Sequence, residues 1–223
     1  MDLRNNGDTT NFIEKIEIGF NLINHMLISF ISIYMTYACL HLNLQKTALH
    51  AWLCTLGYNL LMAEAMMTFF KGNILLSTMQ RKTKTTTHWI LQAFGGTLGI
   101  AGSIVKIVDK TTHFTTSHGI AGLVAMILSA ISMISGICTL YNIEIKRFIT
   151  PLINKFFHNV IGLSAFLAGM SALYYGYDTG FFKRKVEPDF ADMMRTFTII
   201  TIILSSWGSL RSLYGKIQSF RAY

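Results

Sequence analysis

A chain of 223 residues that is 52% hydrophobic and only 13% charged, with a mean hydropathy of +0.43, does not have water as its main solvent. Its formal charge of +8 is spread between apolar runs and forms neither a single basic patch nor an aromatic-interleaved motif, which excludes nucleic acid as a partner and points to a lipid bilayer. Six bilayer spans of about 20 residues each consume half the chain or more, leaving one membrane domain and little for a soluble one.

Residues 1–15 are polar and mixed in charge, lack the apolar core and cleavage site of a secretory signal, and read as a cytoplasmic N-terminal segment. The first span is expected over 16–40; it carries His25, read as an interhelical hydrogen bond, and ends beside His41, read as interfacial. The second, over 48–70, opens on His50 and holds Asn59 and Glu64. Glu64 lies about 21 Å along the helix from His50, towards the cytoplasmic end, where it either serves a cofactor or a proton relay or pairs with a lysine.

The third span, over 87–108, has His88 in its first turn behind a basic run of Arg81, Lys82 and Lys84. The fourth, over 117–141, has His118 in its first turn and His113 in the loop before it. The fifth, over 153–177, carries His158 near its start and ends on Tyr174, Tyr175 and Tyr177, read as an interfacial aromatic belt. The sixth is expected over 194–214 and is followed by a cytoplasmic tail, 215–223, in which no sorting motif stands out.

Glycines recur through the middle spans, among them Gly57, Gly95, Gly99, Gly102, Gly122, Gly136, Gly162 and Gly169, and allow helices to approach closely in lipid. Backbone polar groups must be paired inside hydrocarbon, and these apolar runs are too long for barrel strands, so the fold class is all-α: a polytopic membrane protein of six transmembrane helices over residues 16–214. Cys39, Cys54 and Cys138 lie within apolar runs and form no C-x-x-C pair, which indicates neither a disulfide framework nor a zinc site. Of the 19 Lys and Arg, twelve fall on the side of the termini and seven on the other, so both termini are expected in the cytoplasm.

Antiparallel connectivity sorts the four helix-entry histidines into two levels. The second and fourth spans enter from the non-cytoplasmic side and place His50 and His118 there, whereas His88 and His158 share a level near the cytoplasm. Two facing imidazoles in a four-helix core are what a six-coordinate haem requires, and two stacked haems would shorten a membrane crossing to a few electron hops. Zinc fits less well, because two histidines per level fall short of its usual four ligands. A non-enzymatic alternative is a haem-free transporter or scaffold whose histidines relay protons or pack helices.

The histidine quartet, with Lys84-Thr-Thr-Thr-His88-Trp89, Ser117-His118-Gly-Ile-Ala-Gly122-Leu123 and His158-Asn-Val-Ile-Gly162, resembles the cytochrome b561 family over residues 16–214. The pattern His88-Trp89-x-Leu91-Gln92 is similar to its short, single-domain transmembrane reductases. Ala51-Trp52 stands after His50 where many relatives have proline, and Gly119 follows His118 where many have Ser-Trp. The resemblance implies two haem b groups, one on His50 with His118 and one on His88 with His158. It further implies cytoplasmic ascorbate as donor and monodehydroascorbate or a ferric chelate as acceptor on the opposite side. Arg81, Lys82 and Lys84 are then candidates to attract the anionic donor, with Lys71 and Arg147 weaker ones, and His113 is a candidate on the acceptor side. An endoplasmic-reticulum or vesicle membrane, and a second copy of the chain as a candidate partner, complete what the resemblance suggests.

Overall fold

The computed structural model describes residues 3–221, with side chains from Phe12 onward. The expected N-terminal segment therefore falls partly outside the described residues, as do Ala222 and Tyr223 of the expected tail. Among the described residues the chain is helical: α1 (Leu3–His41), α2 (Lys46–Cys54), a π-helical stretch (Thr55–Met62), α3 (Ala63–Met67), α4 (Arg81–Asp109), α5 (Ser117–Leu140), α6 (Pro151–Gly176), the short α7 (Gly180–Lys183) and α8 (Pro188–Arg221). Five helices are long and apolar enough to cross a bilayer. Residues 46–67, where the second span was expected, run without a break through α2, the π stretch and α3.

Helix starts follow local sequence. The Thr116 side chain caps α5 by accepting from the Gly119 amide at 3.2 Å, and Thr150 caps α6 in the same way on Ile153 at 3.4 Å, with Pro151 in the first turn. These caps fix where His118 and His158 sit on their helices. Three ends differ from the sequence expectation: α1 extends back into 1–15, α8 runs on into 215–221, and α4 begins at Arg81, so the basic run forms its first turn instead of a loop. For α4 and α8 the reason is physical: Lys, Arg and Gln are good helix formers, and a helix need not stop where hydrocarbon does. An ion pair between Glu17 and Arg211 also ties α1 to α8 near their polar ends.

Residues 46–67 with α4, α5 and α6 form a four-helix core, and α1 and α8 pack on its outside. A Cβ at Gly57 would lie 2.7 Å from the backbone of both Gly95 and Gly99, so the π stretch and α4 meet main chain to main chain. The wide π turn shifts the angular phase between the two ends of this crossing. Tyr58 fills the centre. A Cβ at Gly169 would come within 2.1 Å of its ring and one at Gly99 within 2.7 Å, while its hydroxyl bonds Ser129 at 3.2 Å. Ile28, Met62, Met67, Phe166 and Met170 pack around it.

Candidate haem-binding site

Each helix of the core contributes one histidine to one level and an anchor for a histidine at the other. His50 Nδ1 lies 2.8 Å from the Gly102 carbonyl of α4, and His88 Nδ1, on α4, lies 2.9 Å from the Ala65 carbonyl of α3. In the other half, His118 Nδ1 on α5 meets the Ala172 carbonyl of α6 at 2.8 Å, and His158 Nδ1 on α6 meets the Ser135 hydroxyl of α5 at 3.0 Å. A carbonyl can only accept, so the three carbonyl-bonded rings hold their proton on Nδ1 and leave Nε2 with a free lone pair. This is the arrangement of metal-ligating histidines, in which the second nitrogen orients the ring and fixes its tautomer.

Across the core the rings stand beside one another, edge to face, in the pairs expected from connectivity. His50 and His118 have ring centroids 5.8 Å apart with planes at 85°, and His88 and His158 have centroids 6.3 Å apart, also at 85°. With metal–imidazole bonds of about 2 Å, two imidazoles bound on opposite faces of one metal have centroids about 6 Å apart. Both observed separations are of that order. Ala65 and His50, like Gly102 and His88, are separated by about 21–23 Å along their helices, which sets the spacing of the two levels.

The space beside His50 and His118 is open. A cavity of about 440 Å³ is lined by His50, His118, Tyr58, Gly122, Gly169 and Gly176, among others. A Cβ at Gly122 would meet nothing within 4 Å, so this glycine leaves room on the cavity wall, whereas a Cβ at Gly176 would touch the His118 ring at 3.5 Å. At the inner level Gly136 has the same relation to His158, at 3.3 Å. His113, Lys106, Lys110 and Arg184 bring positive or protonatable groups to the outer cavity; Lys106 is also held by Asp109 at 2.8 Å. Arg81 and Lys82 are exposed on the first turn of α4, and Lys84 turns back to the Ser77 carbonyl at 3.2 Å.

Several placements were not legible beforehand. Tyr177, read as part of a surface belt, is buried, lines the cavity and accepts from Thr198 at 3.4 Å. Its position after the end of α6 turns it inward, whereas Tyr175 remains outward. Glu64 pairs not with a lysine but with His25, at 2.8 Å, which makes His25 the interhelical bond expected of it. His41 stands at the end of α1 against Tyr37. Lys106, Lys110 and Arg184 were missed because only the fold brings the ends of α4 and α7 to the cavity. The residue pattern nevertheless carried a signal for Lys106 and Lys110, which lie within two positions of the expected end of the third span.

The eukaryotic cytochrome b561 family model matches residues 49–183, a stretch that contains all four paired histidines. The transmembrane reductase CYB561D2 of Mus musculus is 32% identical over 132 residues, covering 57% of this chain and 59% of the relative. Those of Homo sapiens and Bos taurus are each 31% identical over the same shares. The match thus spans less than two thirds of these relatives' length. The chain belongs to the eukaryotic cytochrome b561 family.

Proposed function

We propose that the protein holds two haem b groups in series and conducts electrons across the bilayer, from cytoplasmic ascorbate to monodehydroascorbate or a ferric chelate on the opposite side. The observation that carries this reading is the pair of imidazole couples, at 5.8 and 6.3 Å, with each Nδ1 already bonded to a neighbouring helix. Haem would supply a one-electron iron couple at each level. The chain's own residues do the rest. His50 with His118 and His88 with His158 would hold the two groups; Gly102, Ala172, Ala65 and Ser135 orient their rings; Gly122 leaves space beside the outer pair.

The donor side is the first turn of α4, where Arg81, Lys82 and Lys84 attract a monoanion close to His88. The acceptor side is the outer cavity, where Lys110, Arg184 and His113 offer positive charge or a proton to an anionic acceptor. Both termini lie in the cytoplasm in this reading, and the membrane is that of the endoplasmic reticulum or a vesicle. A haem-free transporter or scaffold is disfavoured because histidines that only pack helices have no reason to meet in two couples at metal-bridging distance.

The test is optical. Detergent-purified protein is expected to show a Soret band, about two haems per chain by haemochrome assay, and visible bands that sharpen on addition of ascorbate. Protein that is folded but colourless would sink the proposal.

A further inference from the structure

Where α1 and α8 pack against the four-helix core, they and the π stretch enclose a polar seam that the electron path does not use. Asn24 donates to Ser205 at 2.9 Å, Asn59 donates to Ser32 at 3.0 Å, and Asn21 accepts from the Ile74 amide of the loop after α3 at 2.9 Å. Among the described residues, six polar atoms on these three elements are buried without a protein partner: Asn24 Oδ1, His25 Nε2, Thr55 Oγ1, Asn59 Oδ1, Thr201 Oγ1 and Ser206 Oγ. Asn24, Thr55, Asn59 and Thr201 are 0% exposed. An unpaired polar group is costly in hydrocarbon, and such groups are stable where they bind water.

His25 stands where this seam meets the core. It lies inside the apolar stretch Phe12–His41, and its Nδ1 is 2.8 Å from Glu64 Oε1, the two side chains being 11% and 21% exposed. Glu64 immediately precedes Ala65, whose carbonyl anchors His88. A carboxylate accepting from Nδ1–H leaves Nε2 as a proton acceptor, and Nε2 is the atom without a partner. Ionisable pairs at such depth are costly and are kept for function.

We propose that His25, backed by Glu64, is the proton-uptake site that accompanies reduction at the His88–His158 level. The inference rests on the di-haem reading above. With a haem held by His88 and His158, one-electron oxidation of ascorbate to monodehydroascorbate, its own proton released to the cytoplasm, would add one negative charge at that level. A proton from cytoplasmic water passes along the seam to His25 Nε2, forming an imidazolium held by the Glu64 carboxylate. When the electron moves on to the His50–His118 level, the proton returns by the same route. Net charge in this low-dielectric region then stays constant through the cycle, which lowers the cost of placing an electron there.

Other charged or titratable groups on the packed elements stand towards the polar ends: Glu14, Lys15 and Glu17 on α1, Lys71 after α3, Lys84 and His88 on α4, and Arg211 and Lys216 on α8. Glu17 and Arg211 pair with each other.

The experiment is potentiometry of both haems in the purified holoprotein across pH. If reduction takes up a proton at His25, the reduced state binds more protons, so the inner-haem potential falls as pH rises, while the outer haem follows it weakly. His25→Gln is expected to remove most of that slope with haem content unchanged, and Glu64→Gln to do the same should His25→Gln fail to fold. Glu17→Gln is expected to leave it intact. A pH-independent inner potential in the wild type, or a wild-type slope retained in either folded variant, would overturn the proposal. Wild-type protein with one haem or none would instead overturn the di-haem reading beneath it.

Discussion

The two histidine levels are built from the same four helices but are held by different groups. Around His50 and His118 both rings are anchored by main-chain carbonyls, of Gly102 and Ala172, at 2.8 Å each. Around His88 and His158 one anchor is the Ala65 carbonyl and the other is the Ser135 hydroxyl. Their surroundings differ as well: the outer level opens into a cavity roofed by the segments that carry His113 and Arg184, whereas the inner level lies behind the basic first turn of α4. A carbonyl in a helix cannot be edited by substitution and moves only with the helix. The outer level is thus tied to helix register, and the inner level depends in part on one removable side chain.

The strongest way to break the comparison is to remove ligands. His50→Ala or His118→Ala is expected to lose the outer haem and spare the inner, and His88→Ala or His158→Ala to do the reverse. Each variant then drops from about two haems to about one per chain, with a different spectral component missing. If His50→Ala and His88→Ala depleted the same component, the pairing would be wrong.

A smaller effect is expected where the levels share a wall. Gly169→Ala puts a Cβ 2.1 Å from the Tyr58 ring, which must then shift against Gly99 and Ser129. Overpacking of this kind costs about 1–3 kcal/mol, seen as a lower melting temperature in detergent and perturbed bands from both haems. Gly215→Ala on the exposed face of α8, with nothing within 4 Å, should not lower the melting temperature. Equal stability of the two variants would contradict the role given to the Tyr58 socket.

Ser135→Ala sharpens the comparison further, because it removes an anchor at one level only. Loss of such a partner typically weakens ligation by about 10–100-fold, so competitive haem extraction should strip the inner haem first and leave the outer at its wild-type rate. An unchanged order of extraction would show that His158 does not rely on Ser135. Least in magnitude is the donor side. Neutralising Arg81, Lys82 and Lys84 together should slow reduction by ascorbate several-fold at low ionic strength, with the rates converging as salt screens the attraction. Stopped-flow traces that match the wild type at all salt concentrations would reduce the basic turn to a topological anchor.

The membrane class, the helical fold and the two histidine levels were legible because each follows from one-dimensional features: apolar length, charge spacing, and alternating direction of successive helices. What holds the histidines was not. Gly102, Ala65 and Ala172 act through carbonyls, so no side chain announces them, and Ser135 is one of several serines on an apolar helix. The π stretch is invisible to hydropathy, although Gly57 opposite Gly95 and Gly99 is the kind of small-residue contact the composition suggested. Tyr177 was misread because aromatic residues near a span end usually mark the interface, and only the turn into α7 shows that this one points inward. The polar seam was missed because its serines, threonines and asparagines are scattered over three helices far apart in sequence, and only packing makes them neighbours.

Directional transfer in sealed vesicles tests the series arrangement most directly. With ascorbate enclosed on the side of the chain termini and ferricyanide outside, neither anion crosses hydrocarbon, so reduction of the external acceptor reports electrons passing through the protein. Wild-type protein is expected to support it, and His118→Ala, folded and retaining the inner haem, is expected to lose it while its inner haem is still reduced by ascorbate. External reduction at the wild-type rate in that variant would contradict the account, since electrons would then be crossing without the outer level.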